Sequence, residues 1–266
     1  VINSFEIFKG AGMRILLIVL LAWFSGCHRL PRYERPSEAA HSTDSRVECQ
    51  EVIEALLALS SFRALANTTV IYDGSVTSFR YVVIGKGVDK FRIDLLPDGG
   101  SYTIGMLVVD GDETILLNSQ EKTFARSSDE QKLVKSFLGL EGITRPAVIG
   151  LLSGHLPPVS CDGVRLYRQV DSLVLEDSIH GLVWYLSKDA QRVVRLLGLN
   201  DSRDRIVFEG QRVTKDDTGQ GRVDLEVHSP AHVKVAIELE RVGVNVSVAD
   251  ALFTVQIPSN FRDVSE

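Results

Sequence analysis

From residue 62 onward the apolar positions of this chain recur at every second residue. Phe91, Ile93 and Leu95 alternate with Arg92 and Asp94, and Val223, Leu225 and Val227 alternate with Asp224 and Glu226. Val233, Val235, Ile237 and Leu239 alternate with Lys234 and Glu238. A period of two predicts β-strands with one buried face. Runs at 62–72, 76–84, 91–95, 102–106, 115–117 and 122–125 predict a first group of strands. Runs around Leu173 and Trp184, and at 193–197, 205–208, 223–227, 233–239 and 248–257, predict a second. Asp73-Gly74, Asp98-Gly99 and Asp110-Gly111 punctuate the first group. Asp-Gly favours tight hairpins because the turn needs positive φ. The pattern is that of an antiparallel meander with one wet face.

Two stretches change to helical spacing. Residues 49–61 carry Val52, Ile53, Leu56, Leu57 and Leu59, with Glu48, Glu51 and Glu54 near the start, and predict one amphipathic helix. After Ser127 and Ser128, Leu133, Val134, Phe137 and Leu138 fall on one helical face, which Gly139 and Gly142 interrupt. Arg145-Pro146 opens a further helix through Val148, Ile149, Leu151 and Leu152 to Gly154, before Pro157-Pro158. Strands followed by short apolar helices predict a curved sheet with a lid, over about residues 128–154, laid on its concave face. The lid's apolar residues read either as plain core or as a surface for lipid.

The chain has 266 residues, 44% hydrophobic and 24% charged, enough for one sizeable core. A net charge of -6 without a basic stripe argues against nucleic-acid binding and against electrostatic attraction to anionic lipid. Any membrane attachment must then be apolar. The N-terminal part supplies such a segment. Met13-Arg14 precedes the apolar run 15–24, and Ser25-Gly26-Cys27 follow, which are the parts of a signal peptide over 1–26. The run is too short to span a bilayer as a helix. Residues 1–12 do not resemble a signal n-region, Met13 fits a start, and they are left out of the fold reading. Phe24-Ser25-Gly26-Cys27 resembles the bacterial lipobox, with Phe24 where leucine is usual, and so implies acylation of Cys27. His28 follows it, and a residue other than aspartate there implies the outer membrane. Residues 27–46, with Pro31 and Pro36 and no periodicity, predict a flexible tether ahead of one domain, 47–266. In an oxidising periplasm the remaining thiols, Cys49 and Cys161, are either bridged or two buried free thiols.

Catalytic and metal chemistry find little support. His228 and His232 are separated by Pro230, which rules out a helical metal pair. Ser153 between Leu152 and Gly154 lacks the spacing of a nucleophile elbow, and His155 reads as a lid-end loop. The Asp-Gly pairs lack calcium-loop spacing, and no phosphate-binding glycine loop is present. A non-enzymatic protein without cofactor or metal is expected.

The order of motifs resembles the lipoprotein-localisation family: the soluble periplasmic carrier and, more closely, its lipid-anchored outer-membrane receptor. The residues that carry the resemblance are Phe91-Arg92-Ile93 with Pro97, Val109-Asp110-Gly111, Leu151-Leu152-Ser153-Gly154 with Leu156-Pro157, and Phe253, Val255 and Ile257-Pro258. The resemblance implies an unclosed antiparallel β-barrel whose hollow holds the acyl chains of a lipoprotein in transit. It implies a monomer on the periplasmic face of the outer membrane that receives cargo from a periplasmic carrier. Leu133, Phe137, Leu138, Val148, Leu151, Leu152, Phe91 and Ile93 are then the ligand-facing residues. Arg92 matches an arginine that latches the carrier's lid, or is an outward charge on an alternating strand. Leu96, Pro97 and Asp98 match the receptor's membrane-insertion loop, with Asp98 where the receptor carries a protruding leucine. An envelope sensor and a structural lipoprotein with a filled core are the alternatives.

Overall fold

The computed structural model describes residues 30–36, 50, 59–72, 74–87, 89–97, 100, 102–129, 133, 137, 143–157, 161–187, 192–214, 221–228 and 233–265. Two antiparallel meanders build the molecule. The first comprises β1 (Ser61–Tyr72), β2 (Ser75–Lys86), β3 (Lys90–Leu96), β4 (Gly105–Asp110), β5 (Glu113–Asn118) and β6 (Thr123–Ser127). Helix α1 (Arg145–Ser153) follows. The second comprises β7 (Val164–Arg168), β8 (Ser172–Asp177), β9 (Leu182–Ser187), β10 (Val193–Leu199), β11 (Ile206–Thr214), β12 (Gly221–Val227) and β13 (Val233–Val244). The meanders join where β13 pairs antiparallel with β1, and β14 (Arg262–Asp263) adds parallel to β6. The result is one 14-stranded sheet, mainly antiparallel, whose two ends, β14 and β7, do not meet. Strands within a meander pair with their neighbours in sequence, so among the described residues the distant strand pairings are β1 with β13 and β14 with β6.

The sheet curls. Phe91 and Leu107 of the first meander share one hydrophobic cluster with Trp184 and Leu196 of the second, and with Leu151 and Leu152 of α1. Helix α1 alone touches β1, β13, β11 and β10 and lies against Trp184 of β9, so the sheet bends around it. Alternation sets which face looks inward: Phe62, Ala66 and Tyr72 on β1 and Val235, Ile237 and Leu239 on β13 belong to this core. This is the curved sheet that the pattern predicts and the unclosed barrel that the resemblance implies.

Several strands are apolar on both faces, and the terminal segments explain why. Residues 248–257 were expected to form a closing strand. They instead cross the outside of the sheet, with a 3-10 helix at Asp250–Phe253. Val248 and Phe253 cover Ile84 and Val108 there. The reason is topological: β13 already pairs with β1 and β12, so a chain leaving it has no free edge to join. The first edge it reaches is β6, where β14 forms. Residues 30–36, expected as part of a flexible tether, are also seated. Tyr33 is buried in an outer cluster with Tyr167, Val174, Val183, Leu197 and Ile206. The expected helix over 49–61 lies almost wholly outside the described residues; Gln50 is helical, and Leu59 already lies in the core ahead of β1.

Replacing Phe253 by alanine removes the main cover of Ile84 and Val108. Loss of a buried phenylalanine typically costs about 3–5 kcal/mol. Urea denaturation of Phe253→Ala is therefore expected to show a clearly lowered midpoint with an unchanged slope; an unchanged midpoint would mean that the C-terminal segment does not seal the outer face.

Candidate functional site: a helical lid on the concave face

Helix α1 is nine residues long and poor in signals of its own. Its N-cap, Thr144, makes no side-chain cap bond, and its first turn has no acidic and its last turn no basic residue. Pro146 suits the first turn, and Gly154 ends the helix in a left-handed conformation with its N–H on the Gly150 carbonyl. An isolated helix of this length is marginal in water, so its stability comes from the surface beneath it.

Two missing side chains, one on the helix and one on the sheet, let the two surfaces meet closely. A Cβ on Gly150 would lie 2.3 Å from the Trp184 ring, so only glycine lets the helix press against the indole. A Cβ on Gly210 of β11 would lie 2.6 Å from Leu151, so the strand gives the leucine its space. Ala147, Ile149, Leu151 and Leu152 are buried against the sheet. Leu133 and Phe137, four residues apart and both helical, are buried in the same cluster, and Val148 packs partly buried against it.

The polar contact that holds the lid comes from Arg212. This residue is 6% exposed, and its Nη1 donates to the carbonyls of Leu151 (2.7 Å) and Leu152 (2.8 Å). These are among the last carbonyls of α1, which a helix cannot satisfy internally. Burial pushes the Arg212 guanidinium down to about 10, with repulsion from Arg192 adding to the effect, so it stays charged at neutral pH. The charge faces the negative end of the helix dipole. Beyond the helix, Val193 donates its N–H to the Gly154 carbonyl at 2.8 Å. His155 bonds back to Ser153, its N–H on Oγ at 3.0 Å and its Nδ1 against the carbonyl at 2.9 Å, which closes the lid-end loop.

The structure places the predicted site residues as follows. Phe91 and Ile93 lie in the concave core with the lid residues. Arg92 stands on the opposite face of β3. Its Nε and Nη2 bond both oxygens of Asp94 (2.8 and 2.9 Å), and its Nη1 donates to the Leu252 carbonyl at 2.7 Å. These contacts fasten the C-terminal segment. Leu96 and Pro97 end β3 partly buried, and Asp98 lies outside the described residues. So do Cys27, Cys49 and Leu138. Cys161 is disulfide-bonded, to a partner outside the described residues.

Sequence reasoning missed Arg212. The signal was an arginine in phase with Phe208 and Gly210, on what should be the apolar face of its strand. Gly150 and Gly210 gave no signal, because neither sits at a turn.

Solved structures share this fold. One, described as an outer membrane lipoprotein-sorting protein domain from Vibrio parahaemolyticus, superposes with a TM-score of 0.55 at 12% identity, covering 79% of this chain and 96% of that one. A LolA superfamily protein from Nitrosomonas europaea gives 0.53 at 13% identity, covering 77% and 97%. A DUF1329 family protein from Desulfovibrio piger gives 0.55 at 13% identity, covering 79% and 98%. The chain therefore shares its fold with these proteins. No protein-family model matches the sequence, and no curated protein matches it.

If Arg212 holds the lid, Arg212→Met should loosen α1 selectively. Hydrogen bonds from a charged donor contribute about 1.5–3 kcal/mol, so opening of the helix should rise about tenfold or more. Amide exchange at 148–154, compared with β1 and β13, measures this. Unchanged exchange in α1 would assign the holding force to apolar packing alone.

Proposed function

We propose that this protein binds acyl chains on the concave face, in exchange for the lid, and that it is a non-enzymatic, lipid-anchored receptor for lipoproteins at the outer membrane. The observation that carries the reading is the way α1 is held. A self-sufficient helix over a filled core would be permanent structure. Here a weakly signalled helix rests on apolar side chains and on Arg212, and both can be exchanged for a ligand.

The energies support exchange. Fully burying an apolar side chain contributes about 1.5–3 kcal/mol, so Leu133, Phe137, Leu151 and Leu152 together contribute roughly 6–12 kcal/mol. An acyl chain of about 14 methylenes, at about 0.8 kcal/mol each, gains roughly 11 kcal/mol. States this closely matched can be shifted in either direction by a partner. Buried polar atoms are available as well. Trp184 Nε1 and Thr68 Oγ1 have no hydrogen-bond partner among the described residues and suit the ester or amide carbonyls that head acyl chains.

The lipobox-like stretch at Cys27 supports anchoring, and His28 after it supports the outer membrane. Cargo would come from a soluble periplasmic carrier. A structural lipoprotein of the same fold is the competing account, since the lid fills the concave face.

A photo-crosslinkable fatty-acyl probe distinguishes the two. The chain is expected to bind it saturably and to crosslink through concave-face residues of β9 and β11, and Arg212→Met, which loosens the lid, is expected to tighten binding. Absence of binding by a well-folded protein would favour the structural account.

A further inference from the structure

Residues 30–36 are docked, and their docking has a direction. The Ile206 N–H donates to the Pro31 carbonyl (2.8 Å), the Tyr33 N–H to the Asp204 carbonyl (2.9 Å), and Arg205 Nη1 to the Leu30 carbonyl (3.2 Å). Arg35 then grips Glu176 with both arms, Nη2 to Oε1 at 2.9 Å and Nε to Oε2 at 3.1 Å. The Tyr167 hydroxyl donates to the same buried carboxylate at 3.1 Å. A bidentate pair of this kind fixes orientation as well as position. Leu30 therefore leaves the domain at one defined place, the end of the sheet where β11 begins and β12 ends.

Strand register shows what else lies at that end. Phe208 pairs with Val227, Val227 with Val233, and Lys234 with Ile71, so the β1–β2 hairpin tip shares the rim. The β8–β9 turn shares it too, since Leu182 pairs with Gly198 and Gly198 with Phe208. The hairpin tip projects: β2 meets β3 only from Arg80 to Lys86, so its first five residues run past β3 by roughly 16 Å. Ile71 and Val76 oppose each other on this tip and are 42% and 63% exposed; Ile179, in the β8–β9 turn, is 62% exposed.

We propose that residues 30–36 form a rigid stalk that turns this rim toward a lipid bilayer, which the Ile71–Val76 tip and Ile179 touch. The inference rests on the acylation of Cys27 proposed above. Cys27 precedes Leu30 by three residues, so an acylated chain holds Leu30 within about 10 Å of the headgroups. A domain held so closely at a fixed exit point cannot tumble freely, and the rim that bears the exit faces the lipid. Isolated aliphatic side chains that water penalises gain from the acyl boundary of the bilayer. The opposite rim carries a natural control, Val170 in the β7–β8 turn, which is 85% exposed.

The test uses the full acylated chain in vesicles of phosphatidylethanolamine and phosphatidylglycerol. Val76→Cys, Ile179→Cys and Val170→Cys are each labelled with an environment-sensitive fluorophore under non-reducing conditions, and nitroxide lipids serve as quenchers. Labels at 76 and 179 are expected to shift to the blue and lose intensity, while the label at 170 keeps its emission in water. Combining Val76→Cys or Val170→Cys with Arg35→Ala should bring positions 76 and 170 closer to equal quenching. Equal quenching at 76 and 170 in the otherwise unaltered chain, or stronger quenching at 170, overturns the orientation. The mass of the N-terminal peptide separates the two claims: acylated Cys27 with equal quenching overturns the orientation alone, and unacylated Cys27 overturns the anchor and the orientation together.

Discussion

A helix that ends against an apolar surface must find donors for its last carbonyls, and this constraint governs the concave face of the protein. The carbonyls of Leu151 and Leu152 lie where water is excluded, and Arg212 supplies the donor from β11. A guanidinium in that position carries a desolvation cost of its own, visible in its lowered proton affinity. The contact is therefore tight in geometry but modest in net energy, which suits a lid better than a permanent core. Lysine would not serve equally, since its ammonium is more strongly hydrated and rides on a flexible stem, whereas the guanidinium is planar, rigid and less costly to bury.

The remainder of the architecture holds that face in shape. Twelve-residue strands β1 and β13 join the two meanders at the centre. On the outside, the C-terminal segment braces β2–β4 through Phe253, and the N-terminal segment braces β7–β11 through Tyr33 and the Arg35–Glu176 pair. Bracing from the convex side lets the strands be apolar on both faces. It leaves the concave side to α1.

The alternation from residue 62 made the two meanders legible, because hairpin-connected strands announce themselves locally by period and turn. Gly74 and Gly111 do adopt the positive φ that their turns need. Residues 248–257 alternate equally well, yet no strand forms, because free edges are a property of the assembled sheet and leave no mark on a local sequence. The stalk was illegible for a similar reason: Tyr33 and Arg35 read as a polar tether until Tyr167 and Glu176, far along the chain, provide their pocket. At the lid, the apolar residues were identified by helical spacing. The motif around Arg92 points to a latch there, whereas the arginine that bonds α1 is Arg212, on the inward face of β11.

The most direct test of the account is amide exchange along the whole chain with and without a diacylated lipopeptide. Exchange of an acyl chain for the lid predicts that 148–154 lose protection when the lipopeptide binds, while β1 and β13 keep theirs. Binding that leaves α1 fully protected would contradict it, and would place the ligand somewhere other than the concave face.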